Sequence, residues 1–298
     1  MNIREEYIKA GKIASEVRDS LRKDNLLGKR LLDVCKIVEE RIKQKGAKPA
    51  FPCNICLNEI AAHYTPSPKD TTVIKEGDVV KIDIGVQVDG FIADTAITLG
   101  YNSNYDLLIL ATEKALKKAL KVVRNEVKIS DIGRAVESTA LIYNFKPISN
   151  LSGHSIEQYI IHAGKSIPNV WVPSTQTLKK GEICAIEPFL TTKEGAGSVK
   201  DAEYGNIYAL IARKRLKDKR LNDLIEILWE NFKTLPFTPR WLLKYYDDYD
   251  EVSSLILQLF KSKVVRAYPI LKEAKGGIVA QAEHTIALTE EGCIILTE

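Results

Sequence analysis

The sequence of 298 residues lacks a run of about 18 apolar residues, the length that a membrane-spanning helix needs. It also lacks a signal peptide, because its first stretch, MNIREEYIKAGKIASEV, is amphipathic and charged. These absences favour a cytoplasmic protein that works away from membranes. A strong excess of either charge is missing too. The net charge of +4 is compatible with an RNA or ribosome surface as a partner, but it does not establish one.

Cysteine and histidine are scarce. The five cysteines are an odd number at irregular spacing, and the one CxxC pair, Cys53 and Cys56, has no second pair to complete a four-thiolate zinc site. We interpret the cysteines as buried structural thiols, with redox or metal use of the CxxC pair as the alternative. The four histidines all lie in short strand-like or loop segments.

Apolar residues at helical spacing predict helices over 5–23, 28–44 and 105–125, and a further helix that starts with Ser130 as its N-cap. Two strongly helical segments follow one another later in the chain. We therefore predict an inserted helical subdomain at 204–265, and a main domain that comprises 1–203 and 266–298.

Two segments of the sequence share one pattern. IKEGDVVKID, which ends at Asp83, and LKKGEICAIE, which ends at Glu187, both run from an aliphatic residue through lysine and glycine to an aliphatic strand and a carboxylate. Each carboxylate lies six residues after a glycine. The repeat predicts two α/β halves related by a rough twofold axis, with carboxylates at equivalent places.

The segment 79–99, VVKIDIGVQVDGFIADTAITL, is typical of a β-hairpin with Asp89-Gly90 as a two-residue type I′ turn. In such a hairpin, each residue before the turn pairs with the residue that lies equally far after it. Asp83 and Asp94 are then diagonal neighbours on one face, with β-carbons roughly 7–8 Å apart or somewhat less. From these positions the two carboxylates could share a metal ion.

Small residues lie beside these aspartates. Gly85 is predicted to pair with Asp94, and Ala96 with Asp83, so we expect room for a bound group between the strands. The alternative is an ordinary amphipathic hairpin whose polar face lies in water, because its other face is plainly apolar.

Three polar residues elsewhere favour the metal interpretation. Glu187 and Glu283 interrupt apolar strands, where a carboxylate is costly unless it is paired or bound to a metal. His154 follows a glycine in LSGHSIEQY, a loop context in which an imidazole can bind a metal. Four carboxylates and one histidine suit two divalent ions about 3.5–4 Å apart, provided that one or two carboxylates bridge them.

Five segments in order resemble the motifs of the type II methionine aminopeptidases, the archaeal and eukaryotic type with a helical insertion: FPCNICLNEIAAHYTP, DVVKIDIGVQVDGFIADTA, LSGHSIEQYIIHAGKSIP, AIEPF and AQAEHTIAL. The long interval from Glu187 to Glu283 favours type II over the shorter type I. The resemblance implies the α+β pita-bread (creatinase/aminopeptidase-like) fold, with pseudo-twofold α/β halves, which agrees with the internal repeat.

The resemblance also implies the residues of a site. The metal ligands would be Asp83, Asp94, His154, Glu187 and Glu283. Of these, Asp94 and Glu283 would bridge both ions. The residues that contact substrate would be His63 and His162, with Phe51, Ile161, Phe189 and Tyr268 as walls of a methionine pocket.

The implied reaction is removal of the initiator methionine from the N-termini of nascent polypeptides, with a small second residue. A hydroxide activated by two divalent ions (cobalt, manganese, iron or zinc) would attack the first peptide carbonyl, and Glu187 would act as the general base. His162 would stabilise the oxyanion, and His63 would position the scissile amide or serve the leaving nitrogen. We expect the protein to act as a monomer.

Two other functions compete with this one. A peptidase on the same fold that cleaves before proline usually carries an extra N-terminal domain, for which the residues before His63 leave no room. A non-catalytic ribosome- or RNA-binding protein with this fold would have lost metal ligands, whereas all five are present here.

Overall fold

The computed structural model describes residues 3–298, and within that range it contains both helices and strands. The helices are α1 (Glu5–Leu21), α2 (Leu31–Gln44), α3 (Asp106–Val122), α4 (Ile129–Ile142), α5 (Lys219–Phe232) and α6 (Tyr249–Lys261), with 3₁₀ turns at Ser103–Tyr105 and Pro239–Lys244. The strands are β1 (Lys48–Pro49), β2 (Asn54–Leu57), β3 (Ile60–Ala62), β4 (Val79–Val88), β5 (Phe91–Gly100), β6 (Lys146–Pro147), β7 (Ser152–Ile156), β8 (Ser166–Pro168), β9 (Ile183–Ile186), β10 (Phe189–Thr191), β11 (Val199–Leu210), β12 (Val265–Glu273), β13 (Val279–Gln281), β14 (Glu283–Leu288) and β15 (Cys293–Ile295). In this part of the chain no helix is both long enough and apolar enough to span a bilayer.

Two predicted helix starts are wrong, because the backbone is held in another way at each. Gly28 has a φ of 78°, a left-handed conformation that a helix excludes, and α2 begins at Leu31. Ser130 is not an N-cap, since α4 begins one residue earlier, at Ile129. The Ile129 N–H donates to the carbonyl oxygen of Gln176 at 3.1 Å. A neighbouring chain segment therefore takes the place of a serine cap.

A nine-stranded sheet lies at the centre, in the order β1-β4-β5-β14-β9-β7-β8, with β2 also paired to β4 and β15 to β14. The apolar faces of α1 and α2 pack on β4 and β5 in one cluster of buried side chains. Those of α3 and α4 pack with β9, β13 and β14 in a second cluster. Each half of the sheet thus has its own helix pair, which agrees with the two α/β halves that the internal repeat predicted.

The predicted hairpin is confirmed in its register. Asp83 pairs with Ala96 and Gly85 with Asp94, across the β4–β5 ladder. The turn residues Asp89 and Gly90 have φ values of 50° and 85°, the positive values that a type I′ turn requires. Because side chains alternate along a strand, both aspartates lie on one face of the sheet.

The helices α5 and α6 lie between β11 and β12, which pair with each other. They pack in an apolar cluster of their own, which includes Leu228 of α5 and two residues between the helices, Phe237 and Leu242. The predicted limit of this region at residue 204 falls inside β11, which begins at Val199. The division of the chain into two domains stays a prediction.

The cysteines are free thiols, and only Cys293 among them is partly exposed. Burial raises the pKa of Cys56 to about 12, so this member of the CxxC pair is neutral at pH 7. Cys53 is buried as well, and its thiol donates to the backbone carbonyl oxygen of Asn54 at 3.8 Å. These surroundings agree with the interpretation as structural thiols.

Candidate metal centre

Five strand segments of the central sheet supply the predicted ligands. Asp83 lies in β4, Asp94 in β5 and His154 in β7, while Glu187 directly follows β9 and Glu283 begins β14. These strands are neighbours in the sheet, and together they draw ligands from both α/β halves. Residues that are far apart in the chain therefore meet at one place.

Short distances between ligand atoms define a compact cluster. Asp94, His154 and Glu283 each offer one ligand atom, and these atoms all lie within 4.8 Å of one another. The Nε2 atom of His154 is 3.6 Å from an oxygen of Asp94 and 3.6 Å from an oxygen of Glu187. Asp83 lines the same pocket as Asp94, His154 and Glu187. The structure thus brings the five residues together.

Burial dominates the electrostatics of this cluster. It raises the pKa of Asp83 to about 7, although hydrogen bonds from neighbouring groups act in the opposite direction. For Asp94, Glu187 and Glu283, burial is again the main cause, and the negative charge of neighbouring carboxylates raises each pKa further. Four acidic groups in this position repel one another unless a cation or protons neutralise them.

The unpaired oxygens at the centre fit a divalent metal. Oδ1 of Asp83, Oδ1 of Asp94 and Oε1 of Glu283 are buried without a hydrogen-bond partner among residues 3–298. Buried polar atoms almost always have a hydrogen-bond partner, so three unpaired oxygens in one cluster indicate a site for a bound cation. Carboxylate oxygens with one imidazole are a usual donor set for divalent cations such as manganese, iron, cobalt and zinc.

Gln281 also belongs to the centre, although the sequence reasoning missed it. Its amide Nε2 donates to Oε2 of Glu283 at 3.4 Å, and hydrogen bonds from Gln281 lower the pKa of Asp83 and Glu187 against the effect of burial. Its backbone is fixed by the Thr98 hydroxyl, at 2.6 and 2.8 Å. One signal could have found it, because positions two apart on an extended chain share a face, and Gln281 lies two before Glu283.

Two further histidines border the cluster. His63 has a φ of 65°, unusual for a residue with a side chain, and its Nδ1 atom lies 3.2 Å from the carbonyl oxygen of Pro269. The centre of the His162 ring lies 4.4 Å from that of His154. Burial lowers the pKa of His63 to about 4 and that of His162 to about 3, so both rings are neutral at pH 7.

A pocket of about 290 Å³ opens beside the cluster. All four predicted wall residues line it: Phe51, Ile161, Phe189 and Tyr268. The structure adds further walls that the sequence reasoning missed, namely Asn54, Asn150, Leu151, Ile207 and Pro236. The last two lie in β11 and after α5, so the insertion and its flanking strand help to shape the pocket. No local sequence signal marked them.

The expectation that Gly85 leaves room for a bound group is wrong. A β-carbon at this position would lie 2.3 Å from the aromatic ring of Phe51, so the space beside the glycine is already filled. The small residue thus lets a pocket wall approach the strand of Asp83, rather than opening space for a ligand.

Comparison with known proteins adds the family. The model of metallopeptidase family M24 matches residues 5–214. The chain belongs to this family. The methionine aminopeptidase of Methanocaldococcus jannaschii is 45% identical over 294 residues, which are 99% of this chain and 98% of that protein. The resemblance to methionine aminopeptidases is therefore confirmed. Membership of M24 makes the chain an enzyme of the hydrolase class and implies that it uses a divalent metal.

Solved structures confirm the M24 fold. The crystal structure of a methionine aminopeptidase from Thermotoga maritima has a TM-score of 0.70 at 24% identity, and the match covers 100% of this chain and 98% of that one. A thermophilic Arx1 has a TM-score of 0.84 at 19% identity, with 98% and 89% covered. At these identities the similarity shows the fold alone, and that fold is the predicted pita-bread architecture.

Proposed function

We propose that this M24 enzyme removes the N-terminal methionine from newly made polypeptides, and that two divalent ions take part. The observation that carries the proposal is the cluster of buried carboxylates with unpaired oxygens, in a chain similar to methionine aminopeptidases over its full length. The residues that would hold the ions are Asp83, Asp94, His154, Glu187 and Glu283. Bound there, the ions would supply Lewis acidity and lower the pKa of a water molecule.

Glu187 is the proposed general base. It retains some exposure to the pocket, whereas Glu283 is almost fully buried, with 2% of its surface exposed. The carboxylate of Glu187 can therefore reach an incoming water and the substrate. In the proposed role it accepts a proton from the attacking water and returns that proton to the leaving amine.

His63 suits a positioning role better than proton delivery. The carbonyl oxygen of Pro269 can only accept, so Nδ1 of His63 carries the ring proton and Nε2 is left as an acceptor. A neutral ring with a free acceptor can hold the N–H of the scissile amide in place. Of the two roles that the resemblance left open for His63, this geometry favours the first.

His162 is the proposed donor to the oxyanion. Burial keeps its ring neutral at pH 7, and a neutral imidazole still offers one N–H. A donor fixed beside the reacting carbonyl stabilises the negative charge that develops there. The ring stands next to His154, so this donor lies at the edge of the candidate centre.

The pocket walls support selection of methionine. Phe51, Phe189 and Tyr268 are almost fully buried, and with Ile161 they offer apolar surface to an unbranched side chain. The pocket volume of about 290 Å³ limits the residue that can enter. The proposal includes a small second residue, a monomer, and action in the cytoplasm on chains that leave the ribosome.

A peptide assay tests the proposal. The metal-free protein and protein reconstituted with cobalt, manganese or iron are incubated with the peptide Met-Ala-Ser, and free methionine is measured. We expect release only after reconstitution, and loss of release in Asp83→Ala. The matched control is Asp131→Ala, an exposed aspartate on α4, which should keep full activity. No release with any of these metals would refute the activity, and an active Asp83→Ala would refute the ligand assignment.

A further inference from the structure

A second cavity, of about 680 Å³, lies apart from the candidate metal centre. One face of α2 and the edge strand β1 form one side of it, and residues 231–244 of the insertion form the other. This volume lies in the range of small-molecule sites in proteins. Nothing in the proposed peptidase reaction uses it.

The lining of this cavity is strongly basic. Lys36, Lys43, Lys48 and Lys244 line it, and Glu39 is the one acidic residue among the lining residues. Glu39 is neutralised, because Arg240 binds its two oxygens at 2.6 and 2.5 Å. The first three lysines form no ion pair with any residue of 3–298. Four positive charges thus face one cavity without a counter-charge.

Arg240 supplies a second, independent observation. Its side chain is only 6% exposed, and its Nε–H group has no acceptor within the described part of the chain. A buried guanidinium donor without a partner is rare, since such donors are normally satisfied. Arg240 also lines the cavity, so an oxygen-rich anion bound there would lie beside this guanidinium.

Flat rings and apolar side chains complete the lining. Trp241 and Phe232 both line the cavity, and their ring centres are 5.6 Å apart. The indole of Trp241 is held in place, because its Nε1 donates to Glu39 at 2.8 Å. A rigid aromatic side chain beside cationic groups is a suitable surface for a planar base.

We propose that this cavity binds a free nucleotide. Its phosphates would lie against Lys36, Lys43 and Lys48 and accept from Arg240, and its base would stack on Trp241. The cavity is bounded on two sides by α2 and the insertion, so it holds one nucleotide rather than tracking a strand. A single-stranded RNA would instead need an extended basic groove.

Calorimetric titration of the metal-reconstituted protein tests this proposal, with excess Mg²⁺ so that the ligand does not strip the bound ions. The probes are ATP, tripolyphosphate and adenosine. We expect ATP to bind at least tenfold more tightly than tripolyphosphate, and adenosine to bind more weakly than both. Equal affinities of ATP and tripolyphosphate, or no binding of ATP, would overturn the proposal. A single-stranded RNA decamer that binds more tightly than ATP would overturn it in favour of an RNA surface.

Charge-reversal variants locate the site. Lys36→Glu with Lys43→Glu should weaken ATP binding at least tenfold. The matched control, Lys114→Glu with Lys118→Glu on the exposed side of α3, changes the net charge equally and should alter affinity less than twofold. Equal losses in both would show unspecific attraction and refute the site. Should the first variant fail to fold, Lys48→Ala replaces it, with a loss of at least threefold expected. These titrations contain no peptide, so they are independent of the proposed peptidase activity.

Discussion

Buried carboxylates occur at the candidate metal centre and away from it, and their surroundings differ. At the candidate metal centre, buried oxygens of Asp83, Asp94 and Glu283 lack donors among residues 3–298. Away from the centre, Glu39 receives donors from Arg240 and from the indole of Trp241. The first set is costly in isolation, whereas the second is satisfied by the chain itself.

Glu273 shows the contrast most clearly. It is fully buried, yet its carboxylate accepts backbone N–H groups from Lys275 and Gly277, both at 2.8 Å, and from Gly197 at 3.1 Å. Burial alone would raise its pKa, but these donors together lower it. At Asp83 burial prevails and the pKa rises to about 7. Burial alone therefore does not distinguish the candidate metal centre from other buried carboxylates. The absence of hydrogen-bond donors does.

The largest expected effect comes from removing a buried carboxylate whose hydrogen bonds are satisfied. Glu39→Ala leaves the Arg240 guanidinium buried and unpaired, so we expect the free energy of unfolding to fall by about 3–5 kcal/mol. Urea denaturation measures it, with and without metal, and the loss should be the same in both. Glu16→Ala, which removes an exposed ion pair to Lys45, is the control and should cost less than about 1 kcal/mol. If added metal restored the stability of Glu39→Ala, the carboxylate of Glu39 would not be satisfied by the chain alone, and the contrast with the metal centre would fail.

Added metal should stabilise the folded protein by binding the carboxylates that lack hydrogen-bond donors. At a free metal concentration of a hundred times Kd, binding to the folded state raises the free energy of unfolding by about 2.7 kcal/mol. In Asp94→Asn we expect the metal-free protein to be at least as stable as the wild type, because like-charge repulsion falls, and the gain from metal to be much smaller. Thermal unfolding in EDTA and in Mn²⁺ measures both. An undiminished gain in the variant would show that metal binds elsewhere.

Glu273 should make stability depend on acid. Its pKa in the folded protein lies below the ordinary value of 4.5, so its contribution is fully present above that pH and is lost as the pH falls through the folded pKa. Glu273→Gln should lower the free energy of unfolding by about 2 kcal/mol at pH 7, since hydrogen bonds to a charged group are lost. The free energies of unfolding of the two proteins should approach each other as the pH falls from 7 to 3. A constant difference over this range would refute the lowered pKa of Glu273.

The smallest effect is expected at Gln281, which touches the centre from outside the proposed ligand set. Gln281→Leu removes the amide donor that orients the carboxylates, so metal affinity should fall about tenfold. Titration calorimetry with Mn²⁺ measures it. Gln281→Glu adds a fifth carboxylate without the donor, and its metal-free form should be less stable than that of the leucine variant. Unchanged affinity in both would reduce Gln281 to a packing role.

Much of the fold followed from local patterns in the sequence. Asp89-Gly90 specified the turn, and the turn specified the register that puts Asp83 and Asp94 on one face. Glu187 and Glu283 stood out because a carboxylate is costly in an apolar strand. These signals depend on the nearest residues only. They suggested a shared metal site, and the resemblance to type II methionine aminopeptidases assigned the individual ligands.

Other features depend on contacts that no local pattern reveals. Phe51, which lies between β1 and β2, fills the space beside Gly85 in β4, and Ile207 reaches the pocket from a separate three-stranded sheet. The start of α4 at Ile129 depends on a carbonyl oxygen 47 positions later, at Gln176. In each case the partner is distant in sequence, so spacing alone could not have identified it.

The position of β14 has a consequence for how the chain acquires its activity. This strand lies between β5 and β9, so it joins the two α/β halves, and it brings Glu283 into the centre two hundred positions after Asp83. During synthesis on a ribosome, the earlier strands would expose open edges until β14 emerges. A growing chain would therefore hold no complete metal centre, and the enzyme would become competent only when almost all of this sequence has been translated.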